Sequence, residues 1–374
     1  MKVIFDPEGT YAGLQDAIEK LSQNEEIESL LVFVCDKNGF EPQALDPLLA
    51  RAPLPIFGGC FPGILYQQQF QEQGSIVIGI AVEPKIQLIE GLSEDKPNFD
   101  ETIDSSIFES LNGGVMFVLV DGMSTNVNSF LESVFNEIGM VTGYIGGGAG
   151  SLEFVQKPCL FTNKGLKKDC SILAHLDIEN GIGGAHGMRT IEGPYKVTGS
   201  SHNIVKTIDW QPAASFFKEL IFNHPEYDSN LLGVMGTDAH YSLGLNRYDA
   251  ERIIIEPIKE EADQSLVFMA EVREGEFLDI MHVTADSMID SASSALNRAL
   301  DTFKGPQRPQ TLISFDCISR KIFLKERFEE ELKAICKADI PHVGVLTFGG
   351  EIGTSGKDFL DYHNRTCVIG VFGD

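Results

Sequence analysis

Basic residues are scarce in this chain: 29 Lys and Arg stand against 55 Asp and Glu, a formal net charge of −26. Such a field repels phosphate backbones and anionic lipid, which argues against nucleic acid or bare membrane as partners. The acids are spread along the chain rather than gathered in a tail, so they read as a solvated surface. Long apolar runs are also missing. The longest, "SIVIGIAV" (75–82), is far too short to cross a bilayer, and no membrane insertion is expected. The opening "MKVIFDPEGTYAG" has Asp and Pro where a signal peptide needs an apolar stretch, so a cytoplasmic location is expected. The seven cysteines (35, 60, 159, 170, 317, 336, 367) are odd in number, scattered and without a CxxC pair. That argues against a disulfide framework or a structural zinc site, and for reduced thiols, most of them in the core.

The familiar catalytic and nucleotide motifs are missing as well. There is no GxxxxGK[ST], and "GGGAGS" (146–151) ends in Ser151 where a dinucleotide fingerprint wants Gly or Ala. The "LEFVQKPC" that follows shows no helix start to receive a pyrophosphate. "GTSGK" (353–357) and "GMSTN" (122–126) both miss the G-x-S-x-G nucleophile elbow. The eight histidines form no HExxH and no i, i+4 pair, and no C-x-x-C-H marks covalent haem attachment.

What the sequence does have is a repeat. A length of 374 residues suggests two domains. Three buried-looking strands end in an acid or an acid and a cysteine: "LLVFVCD" (30–36), "VMFVLVD" (115–121) and "TLISFDC" (311–317). In the second and third copies an amphipathic segment follows, "VNSFLESVFNEI" and "FLKERFEEELKAI", each with one apolar stripe at helical spacing. A short apolar strand and a Gly-Gly turn come next ("LPIFGG", "TGYIGG", "GVLTFGG"), then a closing strand ("GSIVIGIAV", "CSILAHLD", "TCVIGVFG"). The expected fold is α/β, two-domain, with mixed sheets built from repeated strand–helix–strand–Gly-Gly–strand units.

Between the units, residues 10–22 read as a helix, and "ERIIIEPI" and "SLVFMAEV" as paired strands. "DSMIDSASSALNRALDTF" reads as a helix with Asp286 as N-cap. "NHPEYDSN" (223–230) is the candidate linker, and "KGPQRPQ" (304–310) a loop into the third unit.

The glycine turns fall at the C-terminal ends of strands, where open α/β sheets bind ligands. Two readings stay open. The turns either need left-handed geometry, or they let ligand and backbone approach closely in one shared pocket. The second makes Gly58, Gly59, Cys60, Gly146, Gly147, Gly148 and Gly349 candidate ligand contacts. "SFDCISRK" (314–321) adds Asp316 and Arg320, where the guanidinium is placed either to grip a ligand carboxylate or to close an ion pair at the strand end. Glu351 follows the third turn, as a receiver of an ammonium group or as a solvated carboxylate, and Asn364 lies in the closing "HNRT". His186 in "GGAHGM" and His363 in "DYHNRT" sit in loops near the turns. Cys60 and Cys317 would be the nucleophiles of a cysteine enzyme, if a nearby cation or helix N-terminus lowered a thiol pKa. A third reading is an interaction scaffold docking its acidic surface on a basic partner.

Several spaced motifs together resemble the FIST family. "GYIGGGAG" with "GPYKVTGSSHNIVKTIDWQPAASFF" is similar to the N-terminal FIST domain, and "SFDCISRK", "LTFGGEIG" and "HNRTCVIGVF" to the C-terminal one. "GGCFPG" at the first turn and the extra Gly350 in "FGGEI" depart from the family pattern. The resemblance implies FIST domains over 1–224 and 225–374 and a cytoplasmic sensor that binds a small-molecule ligand, such as an amino acid or other metabolite. It also implies output through a separate partner, a histidine kinase or a cyclic-di-GMP enzyme in trans. In one branch of the family the ligand is haem b with nitric oxide, for which His186 and then His363 would be the axial candidates.

Overall fold

A computed structural model describes residues 1–96, 98–223, 240–246, 251–268, 271–354 and 360–373. All but the first residue of the candidate linker 223–230 lies outside the described residues. The first unit runs β1 (Lys2–Asp6), α1 (Tyr11–Ser22), β2 (Ser29–Cys35), α2 (Pro42–Arg51), β3 (Ile56–Phe61), the hairpin β4 (Gly63–Tyr66) and β5 (Gln69–Gln71), then β6 (Ser75–Ile80). α1 starts where Thr10 accepts from the Gly13 N–H, and it buries Leu14, Ala17, Ile18 and Leu21. α2 left no clear stripe in the sequence because it buries only Leu45 and Leu49 and carries Pro47 inside it.

The second unit is β7 (Lys85–Glu90), β8 (Val115–Asp121), α3 (Val127–Ile138), β9 (Gly143–Ala149), the hairpin β10 (Leu160–Thr162) and β11 (Gly165–Lys167), and β12 (Cys170–Leu176). β13 (Asn180–Ala185) is followed by an inserted sheet with its own core: β14 (Arg189–Ser201), β15 (Ile204–Ile208), β16 (Gln211–Pro212), α4 (Ala213–Asn223), β17 (Tyr241–Leu245), β18 (Ile253–Ile255), β19 (Pro257–Glu260), β20 (Leu266–Phe268) and β21 (Phe277–His282). The third unit then completes itself with α5 (Ala285–Thr302), β22 (Thr311–Cys317), α6 (Ile318–Leu324), α7 (Phe328–Ile335), β23 (His342–Thr347), β24 (Glu351–Thr354) and β25 (Cys367–Phe372).

Each unit is built around one parallel pair, β2/β3, β8/β9 and β22/β23, flanked by an antiparallel strand, β6, β12 and β25. The strand after each glycine segment leaves its own unit. β4 pairs with β23, β24 with β9, and β10 with β3, all antiparallel. The three units therefore exchange strands in a closed cycle, one to three, three to two, two to one. Phe33, Phe117 and Phe315, one from each central strand, meet in the shared core with ring centroids 5.7 Å (Phe33–Phe315) and 6.4 Å (Phe117–Phe315) apart.

This exchange explains part of the glycine repeat. The expected turns are strand interior in two copies: Gly58 and Gly59 lie within β3, and Gly146–Gly148 within β9. A Cβ on Gly59 would come 2.9 Å from Leu160 on the exchanged strand β10, and one on Gly147 2.8 Å from the Gly350 carbonyl oxygen beside β24, whereas Gly58 and Gly146 are crowded by the Val32 and Val118 carbonyls of their own units, each 1.9 Å from such a Cβ. In the third copy Gly349 does turn, at φ +101°.

Three local expectations are corrected. Thr284, not Asp286, caps α5, with Ser287 returning the bond in a capping box. The expected helix over 323–335 is two helices, broken at Lys325, whose φ is +52°. Ile253–Ile255 pairs with β17, while only Pro257–Glu260 pairs with the Leu266–Phe268 strand.

Candidate functional site

A cleft of about 520 Å³ opens at the C-terminal end of β8. One wall is the loop from Gly122 to Asn126 with the first turn of α3. The β14–β15 turn (His202, Asn203) and Glu271 of the inserted sheet form another, and Gly349 and Tyr362 of the third unit a third. Ser93 and Asp95 complete the lining.

The loop is held from below. Asp121 ends β8 and accepts from the N–H of Met123 (3.0 Å) and of Asp169 (2.6 Å) and from Gln156 Nε2 (3.0 Å). Asp169 in turn accepts from the hydroxyls of Ser93 (2.6 Å) and Ser124 (2.9 Å). Gly122 donates to the Ala149 carbonyl at 2.9 Å, and a Cβ there would lie 2.0 Å from Phe348 O. So acid, glycine and small polar residues are what this loop requires. These bonds fix its backbone before any ligand arrives, which lowers the ordering cost of binding.

Asn126 stands at the N-cap of α3 but its side chain makes no capping bond; its amide donates to Glu94 O at 2.9 Å. Tyr362 is 9% exposed, and its hydroxyl has no hydrogen-bond partner among the described residues. That oxygen is pressed against Gly148 and Gly349, where a Cβ on either would lie 2.7 Å from it. Burial pushes the phenol pKa up.

The candidate residues fall into three places. Gly349 lines the cleft. Gly58, Gly59, Cys60 and Gly146–Gly148 lie buried at the strand crossings, where Cys60 N–H donates to Cys159 O (2.7 Å) and Gly148 N–H to Gly350 O (2.9 Å). Asp316, Arg320 and Glu351 are fully buried beneath them. Arg320 Nε lies 2.9 Å from Glu331 Oε1 and 3.1 Å from Asp316 Oδ1. Its other donors reach the carbonyls of Met288 (2.8 Å), Arg365 (3.0 Å) and His186 (3.4 Å) and Ser291 Oγ (3.2 Å), so the guanidinium is spent on the protein. Burial and the neighbouring Glu331 hold the Asp316 pKa well above the usual carboxylate range. Glu351 accepts from Thr347 Oγ1 and from the Thr366 N–H, and burial pushes its pKa up to about 8. Asn364 is buried and donates to Ile254 O at 3.1 Å.

His363 pairs its backbone with Glu351 in both directions (2.7 and 2.8 Å). The ring of His186 is buried, and its Nδ1 accepts from the Met188 N–H at 2.9 Å, which places the ring proton on Nε2. Iron ligation through Nε2 would need that proton moved to Nδ1, against a backbone donor. His186 in this arrangement therefore does not fit an axial iron ligand. No group of three or more His, Cys, Asp or Glu side chains among the described residues is arranged to hold a metal ion. Cys60 and Cys317 are buried, and burial drives both thiols up, Cys60 to about 12, which starves a nucleophile of thiolate at neutral pH.

Of the residues lining the cleft, sequence reasoning named only Gly349 as a candidate. "GMSTN" (122–126) drew notice only as a failed nucleophile elbow, and Tyr362 was overlooked beside His363. The first had a usable signal: a strand ending in Asp, then Gly, Ser, Thr and Asn before an amphipathic helix, is the composition of a pinned loop at a strand's carboxyl end.

Among the described residues, no helix is long and apolar enough to cross a membrane. Among curated proteins, none matches the chain. The FIST N domain matches residues 29–211 and the FIST C domain residues 213–354. Their meeting point lies in the inserted sheet, between β16 and α4. Residues of both matches line the cleft: Ser93, Gly122–Ser129, His202 and Asn203 from the first, Glu271 and Gly349 from the second. FIST domains are sensory, ligand-binding domains of signal transduction. With both domains present over most of its length, the chain belongs to the FIST family.

Proposed function

We propose that this protein is a small-ligand sensor whose ligand occupies the cleft at the end of β8. One observation carries the reading: the cleft is walled by segments of both FIST domains on a loop already fixed by Asp121 and Asp169. A molecule bound there touches the second unit, the inserted sheet and the third unit at once, so it favours whichever mutual arrangement closes on it. The lining is rich in hydroxyl, amide and carboxylate groups, which suits a small polar metabolite better than a flat apolar macrocycle. The bond at His186 Nδ1 also argues against haem held there. The output in this reading is a separate signalling protein, a histidine kinase or a cyclic-di-GMP enzyme, as the family's role in signal transduction supports.

The test is thermal stabilisation of the full chain by a library of polar metabolites, with hemin as one member. Thr125→Trp, which fills the cleft from its exposed wall, serves as the comparison. A compound that stabilises the native chain and loses its effect in Thr125→Trp supports the reading. Compounds that act equally on both, or hemin as the sole hit, overturn it.

A further inference from the structure

We infer that the outer face of the inserted sheet around Trp210 is where this protein docks onto a partner protein, one that offers an apolar pocket rimmed by carboxylates. This surface is separate from the cleft lining and does not depend on a ligand there.

Only two residues join β15 to β16, with Ile208 opposite Gln211. Both are left-handed, Asp209 at φ +44° and Trp210 at φ +61°, as in a type I′ turn. Asn and Gly meet that demand at little cost, whereas a bulky side chain at positive φ is strained. Neighbouring bonds hold the strain in place. The Asp209 N–H donates to Lys196 O at 2.9 Å, and its Oδ1 accepts from the Lys196 N–H at 3.0 Å. The Trp210 N–H donates to Thr198 Oγ1 at 2.8 Å.

Trp210 is the one tryptophan of the chain, and it is 80% exposed. Its ring takes no part in the core of the inserted sheet, so packing does not explain why it stands where glycine would fit better. A strained and solvent-exposed tryptophan points to a contact made with another molecule.

The residues beside it form a row. Val197 pairs with Ile208, and both face the core, so the pleat turns Lys196 outward. Lys196 lies opposite Phe277, which is half-exposed, across β14 and β21. Two aromatic side chains thus flank an ammonium group on the solvent face.

Charge selects the partner. Lys196 and Lys206 of β15 are exposed, and neither forms an ion pair among the described residues; Lys206 stands near Asp263. A chain with 55 acidic and 29 basic residues therefore leaves two bases unpaired beside an exposed aromatic pair, which complements carboxylates around an apolar pocket. A second copy docking through the same row would set lysines against lysines, and anionic lipid is repelled by the net charge of −26. β15 also runs from the His202 and Asn203 wall of the cleft to this turn, so a shift of the inserted sheet at the cleft carries Trp210 with it.

Two measurements test the inference. The first uses the full chain alone. Glycine suits the left-handed φ, so Trp210→Gly should have a denaturation midpoint equal to or above the native one. A clear drop would make Trp210 a structural residue and overturn the inference. The second measurement places photoreactive benzoylphenylalanine in place of Trp210 in the full chain, in its own cells. The control carries it in place of Lys164, exposed on the β10–β11 turn. The crosslinked protein is identified, purified and titrated onto the native chain. The expected result is one protein crosslinked from position 210 and not from 164. Its affinity should fall at least about thirtyfold in Trp210→Gly and about tenfold in the double variant Lys196→Glu, Lys206→Glu, and should weaken with added salt. Crosslinks to a second copy or to lipid alone, or none beyond the control, overturn the inference. So does a captured protein that binds the variants as tightly as the native chain.

Discussion

The Phe348 N–H donates to Gly148 O at 2.8 Å, and a Cβ on Gly148 would lie 1.8 Å from Phe348 O. Two units of the ring cross here with backbone against backbone, so no side chain other than glycine's hydrogen fits. Gly148→Ala must push the crossing apart, and Phe348 is followed directly by Gly349 of the cleft wall. The expected cost is about 3 kcal/mol by chemical denaturation, together with weakened binding of any cleft ligand. Gly184→Ala is the control: in β13 its nearest side-chain neighbour would be 3.5 Å away, and a change within about 0.5 kcal/mol is expected. Equal effects at the two positions would remove the close-approach account of the glycine repeat.

Arg320 ties α5, α6, α7 and the Arg365 segment together from a fully buried position. Arg320→Ala leaves Asp316 and Glu331 facing each other without a counter-charge, and the expected loss is about 3–5 kcal/mol. Arg320→Lys should recover little of it, since an ammonium with three donors cannot reach the same six acceptors. Direct ligand contact by Arg320 would instead predict near-native stability with lost binding in both variants, and denaturation curves separate the two.

How much of this was legible in the sequence depends on the range of the interaction. The parallel pairs, the apolar stripe of α3 and the strands around the glycines follow from period and composition, which are local. The break of the third-unit helix at Lys325 was hidden because its apolar stripe runs on through Phe328 and Leu332. The strand exchange could not be read at all, because β4–β23, β24–β9 and β10–β3 join segments about 100 to 300 residues apart. Gly59, Gly147 and Gly148, which looked like turn formers, are therefore crossing points, while Gly349 does turn. Arg320 and Glu351, which looked poised for a ligand, are buried by segments that arrive from elsewhere in the chain. The cleft was missed for a related reason: Gly349 and Tyr362 of the third unit and His202, Asn203 and Glu271 of the inserted sheet are far in sequence from the 122–126 loop they join.

Six of the seven cysteines are buried, and Cys336 alone is half-buried. Burial raises the thiols, Cys35 and Cys60 to about 12 and Cys336 to about 11. At neutral pH a thiol reagent should label Cys336 first and slowly, with the other six protected until the chain is unfolded. Rapid labelling of Cys60 or Cys317 in the native protein would revive the cysteine-enzyme reading.

Glu351 gives the protein a pH dependence of definite sign. Its carboxyl is fully buried, and burial lifts its pKa from the ordinary 4.5 to about 8. The folded chain thus holds this proton more tightly than the unfolded chain does. The stability contributed by the protonated form is complete below the unfolded value and is lost as pH rises through the folded one. Glu351→Gln keeps the shape of the side chain and removes the titration. The native chain should therefore lose stability relative to the variant between pH 4.5 and about 8, by up to about 5 kcal/mol, and hold a constant difference above that. Urea denaturation of both proteins at several pH values across this window measures it. Parallel pH profiles would mean that Glu351 is ionised in the folded state, with its charge carried by Thr347, Thr366 and the nearby Arg320. The buried acid beneath the cleft would then be a fixed negative charge rather than a proton store.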